Sequence, residues 1–414
     1  MSGIRVADIF SGVIGADAPV RLIGYDGSKA GPDGAEVALR IESPRALARL
    51  ASAPGSLGLA RAYVTGDIEV EGELYTALSA LADVTLHSIP RREQLRLARQ
   101  LLPVWLTHRV PPPDLEARPR GRLHSRRRDS QAISHHYDVS NRFYEWVLGP
   151  SMAYTCACFP TPDATLEQAQ TAKHELVAQK LALAPGMRLL DVGCGWGGMV
   201  MHAAAEHGVR ALGVTLSRKQ AEWAQAEIER RGLGDLAEVR YLDYRDVTET
   251  GFDAVSSIGL TEHIGKAQLP SYFRFLHSRL RPEGRLLNHC ITQPHKPAHL
   301  RTDPFIARYV FPDGQLEPIG HLVSVMNEAG FEIRHEENLR EHYARTLAAW
   351  GDNLEANWDA AVAEVGLGRA RVWRLYMAAS RLGFERNNIQ LHQVLGVTLG
   401  EHGHSGFPLR GWRA

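Results

Sequence analysis

The sequence predicts an α/β protein: a doubly wound, mostly parallel sheet with helical lid insertions, preceded by a small mixed α/β N-terminal domain. Three observations carry this. From about residue 185, short apolar runs alternate with segments of helical spacing, the pattern of a parallel sheet covered by helices on both faces. The first of those runs, LLDVGCGWGG (189–198), ends in a glycine turn. Such a turn lets a ligand touch backbone, and the helix that follows points its N-terminal amides at that ligand. Upstream, a Pro- and Arg-rich stretch separates this region from a first part with its own strand and helix signals.

Taken in order, VRLIGYDGS (20–28) reads as a strand into a glycine turn and EVALRIES (36–43) as a second strand. SPRALARLASA follows as a helix, with Ser43 at the N-cap and Pro44 in the first turn. Residues 86–106 carry a basic helical pattern bounded by Pro90 and Pro103. These observations divide the chain into an N-terminal domain at 1–108, a linker at 109–130 and a catalytic domain at 131–414. The linker holds arginines at 118, 120, 122, 126, 127 and 128. That strip reads either as solvated linker or as a surface for anionic lipid head groups. MRLLDV, RALGVT, EVRYL, FDAVSSI and RLLNHCI are then successive buried strands, and IQLHQVLGVTL (389–399) is a late antiparallel edge strand. Two stretches fall outside the repeat, 292–320 and 343–386, where insertions after late strands build a substrate cover.

Composition narrows the partners. Lys plus Arg and Asp plus Glu both number 47, so no global field invites nucleic acid. The four cysteines form no CxxC pair and read as reduced thiols, and no metal ligand set stands out. No signal peptide is recognised, and no apolar run approaches the ~18 residues of a membrane span.

For the glycine turn three ligands compete. A phosphate loop needs Gly-Lys-Ser or Gly-Lys-Thr, and Trp196-Gly197-Gly198-Met199 offers neither. Gly193, Gly195 and Gly198 satisfy a dinucleotide fingerprint, but Thr215 and Ser217 stand where its ribose-binding acid belongs. S-adenosylmethionine is favoured because the acid, Asp191, precedes the glycines. Asp243-Tyr244 after the third strand supports it, as an acceptor for the adenine amine and a surface for the ring; the alternative is an exposed loop.

HHYDVSNRFYEWVLGPSMAYTCACF, LLDVGCGWGG, GVTLSRKQ, GLTEHIG, NHCIT and EHYARTL occur in that order from residue 135 to 347. Together they resemble the cyclopropane fatty-acid synthase family, whose members methylate double bonds of unsaturated acyl chains with S-adenosylmethionine on a class I methyltransferase fold. FDAVSSIGLTEHIG, RYVFPDGQL and LYMAASRLGFERNNIQLHQVL look most like the branch that makes 10-methylene-octadecanoyl chains from oleoyl phospholipid. In that branch a separate flavin-dependent reductase yields the 10-methyl (tuberculostearoyl) product; true cyclopropane synthesis is the neighbouring possibility. A small-molecule O- or N-methyltransferase and a non-catalytic lipid-binding protein are the more distant ones.

The resemblance implies a bound bicarbonate ion as general base, at positions matching Cys156, Glu262, His289, Cys290, Ile291 and Tyr343, the fifth and fourth of these through their backbone. For the cofactor it implies Tyr154 and Thr155 at the methionine portion and Asp191, Gly193 and Gly195 at the turn. Thr215, Leu216 and Gln220 fall near the ribose, and Asp243 and Tyr244 near the adenine. His136 and Tyr137 close over it. Without the resemblance, Glu262 and His263 read as a strand-end polar pair and His289 as a satisfied core histidine. The chemistry passes through a carbocation, so the site should be dry and aromatic. Phe143, Tyr144, Tyr309, Phe311, Tyr343 and Trp350 are the candidates. The enzyme so implied is cytoplasmic and peripheral to the inner face of the membrane, and its N-terminal domain docks on the bilayer, makes a homodimer, or both.

Overall fold

The computed structural model of the protein describes residues 5–14, 19–82, 110–118, 121–126, 128–129, 140–294 and 303–410, with 92, 99 and 107. Two compact units emerge. One comprises Met1–Arg118, Asp303–Val310 and Trp358–Leu382; the other comprises Pro119–Thr302, Phe311–Asn357 and Gly383–Ala414.

The first unit begins with α1 (Val6–Ile14), β1 (Arg21–Gly24), β2 (Lys29–Ala30), β3 (Ala38–Ile41), α2 (Pro44–Ser52), α3 (Ser56–Val64), β4 (Ile68–Glu71) and α4 (Leu74–Leu81). Its sheet runs β2-β1-β3-β4, with β1 and β3 parallel and the other pairings antiparallel. Both expected strands are present. The Ser43 side chain caps α2 by accepting from the Arg45 amide, beside Pro44 in the first turn. Phe10, Leu22, Ile41 and Leu47 fill the core between sheet and helices. The expected basic helix at 86–106 lies almost wholly outside the described residues.

The second unit contains α5 (Asn141–Leu148), α6 (Leu166–Leu181), β5 (Arg188–Val192), α7 (Gly198–His207), β6 (Arg210–Thr215), α8 (Arg218–Arg230), β7 (Ala237–Tyr241), β8 (Phe252–Ile258), α9 (Thr261–Ile264), α10 (Leu269–Arg279), β9 (Leu280–Thr292), α11 (Ile319–Glu328), β10 (Glu332–Asn338), α12 (Arg340–Ala356) and β11 (Gln390–Val397). Its sheet has the order β10-β11-β9-β8-β5-β6-β7. The strands from β9 to β7 are mutually parallel, and β11 runs antiparallel to both neighbours. The five parallel strands fall where the apolar runs predict them. The late strand is antiparallel as expected but is not an edge: β11 lies between β9 and β10, and β10 forms the edge. This corrects the sequence reading. EIRHEEN alternates half-buried with exposed positions and carries the charge that edges use against unwanted pairing, so it has no apolar signature. β11 is buried along nearly its whole length, as an internal strand must be.

The chain between these elements also supplies the first unit. α13 (Trp358–Val365) and most of α14 (Leu367–Glu385) belong there, with the short helical segment Ile306–Val310. Arg371 of α14 donates to Glu69 at 2.5 Å and to the Tyr63 carbonyl at 3.1 Å. The Tyr309 hydroxyl donates to Glu116, which also takes the Arg61 guanidinium through both oxygens. Both inserted stretches, read from sequence as substrate cover, therefore give part of their length to the first unit's own packing. Tyr309 stands in that packing.

Candidate active site

The site is built on the end of β5. Gly193, Gly195 and Gly197 have φ of +74°, +55° and +78°, a region that favours glycine. A side chain at Gly193 would also bring its Cβ within 3.1 Å of Leu260. The amides of Gly193 and Cys194 donate to the Val214 carbonyl at 2.9 and 3.1 Å, which pins the turn to β6. A cavity opens above it, and the expected cofactor residues line that cavity with one exception, Asp243.

Around the cavity the polar groups are fixed by their neighbours. Asp191 is 2% exposed and accepts from Ser256 Oγ at 2.6 Å, and burial pushes its carboxyl pKa up to about 6. Thr215 Oγ1 donates to Gln220 Oε1 at 2.8 Å, which orients the Gln220 amide, and Ser217 caps the helix that carries it. Asp243, beside Tyr244 of the cavity wall, is held by Arg245. Its carboxylate accepts from Arg245 Nε at 2.8 Å, Arg245 NH2 at 2.6 Å and the Arg245 amide at 3.0 Å. Tyr244, Arg245 and Asp129 line the cavity at this end. The Tyr244 ring packs edge-on against Tyr272 and Phe275.

Lys173 and His174 of α6 also line the cavity and were not foreseen. Lys173 Nζ is 3.1 Å from Thr155 Oγ1 and 2.9 Å from His174 Nε2, and burial lowers its pKa to about 8. The buried positions of α6 include Gln170, Lys173, His174, Val177, Ala178 and Leu181, one helical stripe. The available signal was a lysine standing in that apolar stripe. The donor and acceptor set fits a nucleoside carrying an amino acid: glycine backbone for close approach, a buried carboxylate for an amine, and the Thr215–Gln220 pair for hydroxyls.

The second predicted set divides. Glu262 sits in the short α9, where Oε1 accepts from the Ile291 amide at 2.6 Å. Its other oxygen, Oε2, is buried without a protein partner, and burial raises the carboxyl pKa to about 7. The Ile291 backbone thus meets Glu262 directly. His289, two residues before Ile291 on β9 and so on the same face, accepts at Nδ1 from Gln393 Nε2 at 3.1 Å. Its Nε2 is likewise buried without a partner. Burial, with Lys173 and Lys180 nearby, holds His289 neutral, its pKa well below the usual histidine range. The Cys290 side chain lies on the opposite face, in the core beneath the sheet, where Asn288 Nδ2 reaches its Sγ at 3.3 Å. Cys156 is fully buried with its Sγ 3.2 Å from the Ala157 carbonyl and 3.8 Å from the Leu339 carbonyl. Tyr343, one turn after Leu339, packs on Phe384 at 4.5 Å.

Aromatic rings join the two sets. Trp196 lies 4.7 Å from Tyr144, Tyr144 6.0 Å from Tyr154, Tyr154 5.2 Å from Trp350 and Trp350 6.1 Å from Tyr343, centroid to centroid. This row leads from the glycine turn, through Tyr154 in the cavity wall, to Tyr343. Phe143 abuts it at Tyr144, whereas Phe311 packs on His263. Away from the cavity, His202 Nε2 and His207 Nε2 both approach Glu175 Oε2, at 3.3 and 3.0 Å, a three-residue group with ligand-type atoms. In the arginine strip, Arg126 pairs with Asp246 and Arg128 with Asp313 within the second unit, so these two are committed to protein carboxylates. Arg120, Arg127, His136 and Tyr137 lie outside the described residues.

Comparison with known proteins follows the same lines. The profile of the mycolic acid cyclopropane synthetase family matches residues 124–394. The whole chain is 52% identical to the probable fatty acid methyltransferase Rv3720 of Mycobacterium tuberculosis, covering 98% of it. It is 32% identical to the tuberculostearic acid methyltransferase UfaA1 of that organism, over 91% of this chain and 87% of that one. The crystal structure of mycolic acid cyclopropane synthase CmaA1 complexed with SAH and CTAB superposes with a TM-score of 0.61 at 33% identity, covering 64% of this chain and 97% of that one.

Proposed function

This chain belongs to the cyclopropane synthetase family of lipid-modifying, S-adenosylmethionine-dependent methyltransferases, and from that premise we propose that it methylates oleoyl chains of phospholipids to give a 10-methylene acyl chain. The observation that carries the reading is the pair of unpartnered buried atoms: Glu262 Oε2, next to His263 and Ile264 of the cavity wall, and His289 Nε2, on the residue whose carbonyl takes the amide of Gly259 in that wall. The full-length similarity to UfaA1 supports the methylene branch.

S-adenosylmethionine, when bound, supplies an electrophilic methyl group. The glycine turn, Asp191 and the Thr215–Gln220 pair hold the donor in one orientation, and positioning of this kind lowers a barrier by several kcal/mol. The alkene π pair forms the new bond at C10 and leaves a cation at C9. A 1,2-hydride shift moves the charge to C10, and loss of a proton from the new methyl group returns the electron pair as the exocyclic double bond. The ring faces from Tyr144 to Tyr343 tolerate the passing charge and exclude water that would quench it. Glu262, with a pKa near neutrality, can present Oε2 as donor or acceptor, and neutral His289 adds a second polar contact. That pair suits a bicarbonate ion, whose chemistry there is to accept the proton. Direct proton loss before the shift would instead close a cyclopropane.

Among the described residues no helix is long and apolar enough to cross a membrane. The reading places the enzyme at the cytoplasmic face of the bilayer, with a flavin-dependent reductase consuming its product and a homodimer as its assembly. Vesicles of dioleoyl phospholipid incubated with the protein and methyl-labelled S-adenosylmethionine should yield labelled chains one CH2 heavier, with a terminal methylene by NMR. Unmodified chains under saturating bound cofactor reject the proposal; a cyclopropane ring keeps the family and rejects the branch.

A further inference from the structure

A polar row crosses three strands beside the site. Strand register sets His289 of β9 opposite Gln393 of β11, and Gln393 opposite Glu337 of β10. Cross-strand neighbours of this kind share one face of a sheet. Lys180 of α6 reaches the row from above. Its fully buried Nζ donates to Glu337 Oε2 at 2.5 Å and to Gln393 Oε1 at 2.6 Å.

The orientation of each group follows from the donor inventory. An ammonium donates and never accepts, so the Gln393 atom facing Lys180 is the carbonyl oxygen. The Gln393 NH2 is then the group 3.1 Å from His289 Nδ1. An amide NH2 only donates, so Nδ1 bears a lone pair. A neutral imidazole carries one N–H, which must sit on Nε2. That nitrogen is the buried atom with no protein partner.

We infer that Lys180 and Gln393 are positioning residues that lock His289 in its Nε2–H tautomer, so that His289 offers a hydrogen-bond donor to the anion at the site and is not itself the base. The inference rests on the reading of Glu262 and His289 given above, and it deepens it by fixing the ligand class: the group opposite Nε2 must be an acceptor, such as a carboxylate or bicarbonate oxygen. Buried neutral donors of this sort act without reorganising when charge develops. Glu337, on the exposed side of the row, holds the ammonium in its buried position.

The test is a tautomer measurement paired with kinetics. In protein labelled with 15N-histidine, the two ring nitrogens of His289 should give the shifts of an Nε2–H imidazole, assigned by their loss in His289→Ala. Gln393→Glu keeps the size and the contact with Lys180 but places a carboxylate oxygen against Nδ1. The proton should move to Nδ1, and kcat should fall on the order of 10²–10⁴-fold with KM for S-adenosylmethionine unchanged. Lys180→Met frees the amide to rotate and should populate both tautomers, with an intermediate fall in kcat. Melting temperatures of both variants report whether the fold is kept. A wild-type proton on Nδ1 overturns the inference, and so does a flipped tautomer in Gln393→Glu with undiminished kcat. Full turnover by His289→Ala overturns the reading of the site instead, and the NMR result on the tautomer is decided separately from it.

Discussion

At Glu262, burial and chemistry pull in one direction. Its carboxyl titrates near 7 against an ordinary value of 4.5. The folded state therefore holds a proton that the unfolded chain releases, and stability is lost as pH rises from 4.5 to about 7, then levels. The loss is about 3.5 kcal/mol at about 1.4 kcal/mol per pKa unit. Glu262→Gln should remove this cost, so its melting temperature should gain on wild type between pH 5 and pH 8. The same variant should lose turnover by on the order of 10²-fold or more while calorimetry finds cofactor affinity nearly intact. Equal loss of affinity and turnover would make Glu262 a structural residue. Lys173→Met should weaken cofactor binding by about tenfold, the effect of about 1.4 kcal/mol, through the loss of the Thr155 contact and of the cation near Asp191. Unchanged titration of the cofactor would remove Lys173 from the site. Glu262 and His289 drew notice in the sequence because they stand in ordered motifs. Lys173, Lys180 and Gln393 were not, since a single polar letter within an apolar stripe or strand gives no hint of the partner that neutralises it. Arg245, two residues later, donates to the Asp243 carboxylate, a partner that sequence spacing alone does not report.

The elements that carry the site depend on a few local devices. Gly193→Ala forces a Cβ onto φ +74° and against Leu260, so cofactor binding should collapse while circular dichroism remains that of a folded protein. Wild-type affinity in that variant would mean the turn does not approach the ligand. Thr165 and Gln168 form a reciprocal capping box at the start of α6, the helix bearing both buried lysines. Thr165→Ala should cost about 1 kcal/mol, read from denaturant midpoints. The parallel strands were legible because burial on both faces writes continuous apolar runs. β10 was not, because an edge strand half in water writes charge instead. Placing β11 at the edge followed from overlooking β10, and with it went the register that sets Gln393 beside His289.

Across the whole molecule, chain order and spatial grouping part company. The first unit draws on three separated stretches, and its last helix brings Trp373, Tyr376 and Met377 to burial. A chain lacking residues 1–118 should therefore expose those side chains and elute as aggregate by size exclusion, even though 119–414 contains the whole seven-stranded sheet. A soluble monomer would show that α13 and α14 do not need the first unit. Sequence made the N-terminal region visible as strands and a helix, but helices inserted after residue 357 looked like additions to their immediate neighbours, because nothing in local pattern reports a distant partner. The grouping has a consequence for synthesis. Residues 1–118 leave the ribosome long before 358–382, an interval of roughly ten to fifty seconds at about 5–20 residues per second. During that time the nascent N-terminal unit lacks the later helices that pack within it, while the later sheet assembles. Birth order and folding order are thereby uncoupled, and a slow codon run before residue 358 would lengthen the wait of a segment translated far earlier.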